Sequence, residues 1–439
     1  MTDQNSRRRF LTQIAAGAGA VALARPIFGG NFAELERNVA SVAGRTADDV
    51  ASDEAFWGTV RSGFDLEPAI VNLDNGYCNP LSRAVMNDLA EKMRWVETLP
   101  GRRVEELFET VTSKKVIPGL AKMLGVPDNE IALTRNATES LDTVILGMDF
   151  KPGDEILCCN HDYYSMLDAI ERRKLRDGVS IKMLKPPLPA ASDRELLEMY
   201  RNAITPRTKL VLVTHASNVT GQIYPVRRIA AAAHWVGAKV LVDAAQTFAV
   251  LDHKIPDLDC DFYGVSLHKW LMGPVGSGLL WMRKENVDKI WPLVPPPVQA
   301  TGMYKFMWSG TYPEFLSGSL TVPIEFHEKL GMARKEARLR YLGEYWRKKV
   351  ETLPGVRFYT TDSPAMSCGL GVFEMEGVDL STVQKALWEK KKILVQFMDG
   401  GPRARELKGI RVTPNVYTTT AELDKFVAAL AEETAAARK

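Results

Sequence analysis

The stretch 264–278 reads GVSLHKWLMGPVGSG. Lys269 stands between an apolar, strand-like run, DFYGVSL (261–267), and a loop holding Gly273, Gly276 and Gly278. An ammonium group resists leaving water, so lysine is a poor terminus for a buried strand. Either the residue ends a strand at the surface by chance, or its amine is kept there for chemistry. The runs before it bear on that choice.

Upstream, short apolar runs alternate with helical segments. EIALTR (130–135) precedes NATESLDTVILGM, and DEILCC (154–159) precedes HDYYSMLDAIERR. KLVLVTH (209–215) precedes PVRRIAAAAHWVG, and KVLVDAA (239–245) follows that helix. Such alternation predicts an α/β fold: a mainly parallel sheet covered by helices on both faces. Before it, a polar stretch (31–55) reads as a lead-in helix, and IVNLDNG (70–76) as a short strand entering a turn at Asn75-Gly76. Amphipathic helices are expected at 82–99 and 113–125. From about residue 325 the pattern changes to helices at 327–352 and 380–391, short strands such as LGVFEME (370–376), and a closing helix from 420. That reads as a smaller C-terminal α/β domain. The expected division is 1–24 as a leader, 25–85 as an N-terminal segment docking on the small domain, 86–322 as the large domain and 323–439 as the small one.

The 439 residues carry a net charge of +2, which implies no strong field for nucleic acid or an anionic membrane. Five cysteines, at 78, 158, 159, 260 and 368, form neither a disulfide framework nor a paired zinc motif, so no metal site is expected. That pattern suits folding in a reducing compartment. The leader reads SRRRFLTQIAAGAGAVALA (6–24), with Ala22-Leu23-Ala24 as a cleavage site. Its apolar run is too short to span a bilayer and suits a signal peptide. Ser6-Arg7-Arg8-Arg9-Phe10-Leu11 resembles the twin-arginine export motif. The resemblance implies a partner in the twin-arginine machinery, export after folding, and a periplasmic location.

In a doubly wound sheet, ligands gather beyond the carboxyl ends of the strands. Each strand named above ends in polar groups. Ala137 and Thr138 open a helix, where they serve either as a cap or as a phosphate cup. Tyr163 is either core filler or a ring laid on an aromatic group. KLVLVTH runs into Ser217 and Asn218, a polar turn. Asp243 follows KVLV and needs a positive partner to offset desolvation; a pyridinium nitrogen would serve, with Gln246 donating to a neighbouring phenolic oxygen. Ser266, His268 and Lys269 end the last strand, and an amine beside a cationic ring becomes nucleophilic. Together these parts suit pyridoxal 5′-phosphate.

LVDAAQ (241–246) and DFYGVSLHKWLMGPVGSGLLWMRKE (261–285) resemble the cofactor-lysine signature of class V aminotransferases, fold type I. The likeness runs from about Phe56 to the C-terminus. FWGTVRSGF (56–64), HDYYSM (161–166) and PPPVQATGMYKFMWSGTYP (295–313) resemble the isopenicillin N epimerase-like branch. The resemblance implies that Lys269 bonds the cofactor aldehyde, that Asp243 holds the ring nitrogen, and that Gln246 and Asn218 hold the ring oxygen. It implies that Tyr163 stacks on the ring, with Tyr164 as the alternative, and that Ala137, Thr138, Ser266 and His268 bind phosphate. Gly310-Thr311 resembles the segment that reaches the phosphate of a neighbouring subunit, which implies a homodimer. Arg411, in GIRVTPNVYTT (409–419), matches the arginine that grips a substrate carboxylate, with Asn75 as a further substrate contact. Its alternative is an ordinary surface arginine.

The implied reaction lies at the Cα of an amino acid or an amino-acid-containing substrate, by transamination or epimerisation. β-Elimination and a non-catalytic binding role are the alternatives. Cysteine desulfurases of this family carry a cysteine shortly before the carboxylate arginine, and KKILVQFMDGGPRARELKGIR (391–411) has none. Tyr304, Trp308 and Tyr312 point to an aromatic-walled entrance, and so to a bulky, peptide-like or siderophore-like amine.

Overall fold

The structure, a computed structural model, describes residues 32–438. The expected leader, 1–24, lies outside the described residues. Among those residues no helix is long and apolar enough to cross a membrane.

A short strand, β1 (Val71–Asn72), precedes the main sheet. That sheet has seven strands: β2 (Ile131–Thr134), β3 (Glu155–Cys159), β4 (Ser180–Leu184), β5 (Thr208–Thr214), β6 (Lys239–Asp243), β7 (Phe262–Ser266) and β8 (Gly278–Met282). Their order is β2-β8-β7-β6-β5-β3-β4. β8 runs antiparallel to both of its neighbours, and the remaining pairs are parallel. Helices Ala137–Gly147, Tyr164–Asp177, Asp193–Ala203 and Val226–Trp235 connect successive strands. Side chains alternate between two cores. Val240 and Val242 enter one apolar cluster and Leu241 the other. Burial on both faces is why these strands read as continuous apolar runs. Only edge strand β4 breaks the pattern, because none of its residues is fully buried.

The second sheet is antiparallel, in the order β12-β13-β10-β9, from β9 (Val356–Phe358), β10 (Gly371–Met375), β12 (Gln396–Met398) and β13 (Gly409–Val412). Helices Met332–Val350, Leu380–Lys391 and Thr420–Ala437 enclose its core. β11 (Ile393–Leu394) pairs in parallel with β1. The Thr413 N–H then donates to the Leu73 carbonyl at 2.8 Å. Residues 71–76 are thereby held against the end of β13.

Three local expectations change. The lead-in is three helices, Ala33–Ser41, Ala47–Ala51 and Glu54–Arg61, because Thr46 and Asp53 each cap a new start. The helix expected over 327–352 breaks at Gly331 (φ +86°), which separates Thr321–Leu330 from Met332–Val350. The stretch before Leu124 is a π-helix, Phe108–Val116, that passes into the α-helix Ile117–Leu124.

Candidate active site

A cavity of about 830 Å³ opens beyond the carboxyl ends of β3, β5, β6 and β7, and Lys269 lines it. The turn after β7 places that lysine. The Lys269 N–H reaches back to the Ser266 carbonyl at 3.4 Å, and the Met272 N–H donates to the Lys269 carbonyl at 3.0 Å. Met272 adopts the left-handed region (φ +59°), and the chain then reverses into β8. Nζ lies 5.9 Å from the ring centroid of Tyr163. Burial holds the amine below the usual lysine range; the Asp243 carboxylate opposes this and Arg411 adds to it.

Asp243, at the end of β6, is 5% exposed and lines the same cavity. Its Oδ1 accepts the Ala245 N–H at 2.9 Å. Burial pushes its carboxyl up, against the pull of that N–H and of Lys269. Gln246 Nε2 donates to the Gly76 carbonyl at 2.9 Å, while the Trp270 indole N–H donates to Gln246 Oε1 at 2.8 Å. The residue after the lysine thus orients the glutamine, with one amide hydrogen left to give. Nearby Asp162 accepts from the Thr214 hydroxyl and the Cys159 N–H, both at 2.7 Å, and burial raises its carboxyl to about 7.

Helix Ala137–Gly147 begins at the cavity wall, where Asn136, Ala137 and Thr138 line it. Asn136 caps the helix by accepting the Glu139 N–H at 2.9 Å. The Ala137 N–H donates to Ser266 Oγ at 2.8 Å, so strand end and helix start are joined. The helix dipole favours an anion there. His268 also faces the cavity; burial lowers its pKa, and Nδ1 has no partner.

Arg411 is no surface arginine, being 3% exposed. Nη1 donates to the Asn218 carbonyl at 3.0 Å and Nη2 pairs with Asp74 Oδ1 at 2.7 Å. Nε, buried, has no partner. Asn218 lines the cavity too. Tyr163 is half-buried, whereas Tyr164 is 60% exposed.

Two expected site residues stand apart. Asn75 is fully buried outside the cavity lining; its amide is spent on the Thr413 carbonyl at 2.7 Å and the Tyr417 hydroxyl at 2.7 Å. It shapes the 75–79 turn rather than facing a ligand. Thr311 is exposed on a separate groove of about 840 Å³, with Arg135 and Glu139. Tyr304, Trp308 and Tyr312 line that groove as well, so the expected aromatic entrance is not the mouth of this chain's own cavity. The mouth is formed by Tyr77, Tyr164, Val275 and residues 399–404. Sequence reasoning missed Asp74, Cys78, Asp162 and Trp270. Asp162 had a signal, standing three residues beyond the end of a buried strand; the others had none beyond adjacency to a motif.

A lysine amine, a carboxylate, a ring beside the amine, a helix start and an orphaned arginine nitrogen converge here. That donor set fits a flat, anionic, aldehyde-bearing pyridine. Residues 71–426 match the aminotransferase class-V family. The chain belongs to that family. An isopenicillin N epimerase of Streptomyces clavuligerus is 27% identical over 398 residues, covering 86% of this chain and 98% of the relative. A probable cysteine desulfurase of Pseudomonas aeruginosa is 32% identical over 239 residues, 53% of this chain and 57% of the relative. Among solved structures, a cysteine desulfurase from Escherichia coli superposes with a TM-score of 0.76 at 23% identity, covering 87% of this chain and 99% of that one. C-DES with glycine covalently linked to its PLP cofactor gives 0.76 at 21%, covering 85% and 99%. The fold is that of PLP-dependent enzymes of fold type I, and the cofactor is pyridoxal 5′-phosphate. Among the described residues no group of three or more His, Cys, Asp or Glu is placed to hold a metal.

Proposed function

We propose that this class-V enzyme acts at the Cα of an amino acid or an amino-acid-containing substrate, and that epimerisation is its reaction, ahead of transamination. The carrying observation is that Lys269, Asp243 and Arg411 share one cavity. The likeness to isopenicillin N epimerases along nearly their whole length supports the choice of reaction. The absence of a cysteine in 391–411 disfavours sulfur transfer through that segment.

Pyridoxal phosphate supplies the electron sink for charge developing at Cα. Asp243 would hold its ring nitrogen, and Gln246, fixed by Trp270 and Gly76, would donate to the ring oxygen. Thr138, Ser266 and His268 would face the phosphate, with the Ala137 N–H holding the Ser266 hydroxyl in place. Tyr163 would cover the ring. Arg411 would take the substrate carboxylate, because a guanidinium can bond both oxygens of a carboxylate. Lys269, made more readily neutral by burial, would move the Cα proton.

The experiment is absorbance of the purified protein in the visible range. Wild type is expected to show the cofactor band, and Lys269→Ala to lose it. A colourless wild type would leave the reading that this is a non-catalytic member of the fold. Adding single L-amino acids and isopenicillin N, then assaying for D-product, keto acid or a released β-group, separates the reactions. The segment 1–24 is further proposed to direct twin-arginine export to the periplasm, and the chain to work as a homodimer. A mature exported protein that retained residue 1 would refute the former, and a monomeric mass in solution the latter.

A further inference from the structure

Cys78 takes no part in the proposal above, yet it lines the same cavity as Lys269 and Arg411. The 75–79 turn holds it there. On one side, a Cβ placed on Gly76 would lie 3.4 Å from the Arg411 guanidinium carbon. On the other, Asn79 Nδ2 donates to the Lys269 carbonyl at 3.0 Å, and the Asn79 N–H to the His268 carbonyl at 3.3 Å. The turn that carries Cys78 is therefore tied to the Arg411 side chain at one end and to the main chain at Lys269 at the other, and Cys78, Lys269 and Arg411 line one cavity. A Cα whose carboxylate meets Arg411 and whose amine meets the cofactor lies in that cavity. A second feature marks the spot for a ligand: Arg411 is 3% exposed and its Nε has no partner.

We propose that Cys78 is a second catalytic proton carrier, with Lys269 removing the Cα proton and the Cys78 thiol returning one to the opposite face. In that direction the Cα–H bond breaks and its proton goes to the neutral Lys269 amine. The electron pair left at Cα then takes the proton of the S–H bond. The products are an inverted Cα, an ammonium at 269 and a thiolate at 78. The reverse turnover starts from that state, and proton exchange with water resets it; no oxidant or reductant enters. Burial favours the protonated thiol, against the pull of Lys269, and the neutral amine. The inference rests on the Cα reaction proposed above, and two measurements separate the failure of one from the failure of the other.

The first needs no turnover. Of the five cysteines, the four others are buried, so iodoacetamide labelling read by mass spectrometry reports on Cys78. Phosphopyridoxyl-L-alanine, a stable reduced conjugate of cofactor and amino acid, is expected to abolish that labelling in cofactor-free protein. Equal labelling with and without the conjugate overturns the inference. The second compares wild type, Cys78→Ser and Cys78→Ala as holoenzymes with L-amino acids in D2O. Wild type is expected to form deuterated D-enantiomer. Cys78→Ala keeps the cofactor band and still deuterates the L form, but makes D-product about 100-fold more slowly or worse. Cys78→Ser falls between the two. D-product from Cys78→Ala at the wild-type rate, no D-product from wild type, or a persulfide on Cys78 after L-cysteine overturns the inference while the cofactor reading stands. A wild type without the band overturns both.

Discussion

Burial acts on Lys269 and Asp243 in opposite senses, and both effects favour the uncharged form. A cationic ring nitrogen against Asp243 would restore its carboxylate, which ties the acid's charge to the cofactor's presence. Lys269 and Asp243 were readable in the sequence because each interrupts or ends an apolar run. Asp74 and Trp270 were not, since their roles exist only as contacts; Asp74 meets Arg411 across 337 residues of chain. The Trp270 contact yields a test. Phenylalanine keeps most of the indole's bulk but cannot donate to Gln246 Oε1. In Trp270→Phe that buried oxygen loses its donor, at a cost of about 1–3 kcal/mol. A urea melt is expected to show that loss, with weaker cofactor retention because Gln246 is no longer oriented. Unchanged stability and unchanged retention would mean that the indole N–H is dispensable.

At the scale of elements, the strands of the main sheet were readable wherever both faces are buried, and their ends set the site. β8 is the informative exception. It runs antiparallel between β2 and β7, so the chain after Lys269 returns along the sheet instead of crossing over through a helix. Glycine permits this return. A Cβ on Gly278 would meet the Asn136 backbone at 2.6 Å, where the helix lining the cavity begins. On Gly264 the nearest atoms would be the Leu141 side chain at 2.8 Å. Side-chain ends can swing aside and backbone cannot. Gly278→Ala is therefore expected to cost more than Gly264→Ala, at the upper end of the roughly 1–3 kcal/mol typical of overpacking. It should also release cofactor more readily, because it displaces the helix start. Melting temperatures and cofactor absorbance of the two variants check the order; a reversed order would mean that β8 shifts freely.

Across the whole molecule, the site is assembled from distant segments: 74–79, 136–141, 160–168, 214–219, 243–269 and 396–411. Sequence periodicity predicts the parallel strands whose ends line the site but not their meeting with 74–79 and 396–411, because the contact between β1 and β11 and the Arg411–Asp74 pair are tertiary facts. Such an assembly buries ionisable groups, and their balance sets the pH response. Five of the six histidines, His161, His215, His253, His268 and His327, are held below the usual histidine range, chiefly by burial. On unfolding each regains its ordinary pKa. Between about pH 5 and about pH 6.5 the unfolded chain therefore binds protons that the folded chain does not, and stability rises with pH. Five carboxyls work the other way: burial raises half-buried Asp142 and buried Asp162 and Glu314 to about 7, and pushes buried Asp88 and Asp243 in the same direction. In the same window the folded chain keeps their protons and the unfolded chain releases them, so their contribution falls as pH rises. Five histidines and five carboxyls therefore largely offset one another. Lys92, Lys269 and Lys335 are held below the usual lysine range by burial, so the unfolded chain also binds protons that the folded chain gives up more readily, and this contribution rises with pH. Urea midpoints are thus expected to rise gently from about pH 5 to about pH 8. Asp162→Asn removes one opposing carboxyl and should steepen that rise below about pH 7. A midpoint that falls steadily from about pH 5 would show that the buried histidines keep their protons in the fold.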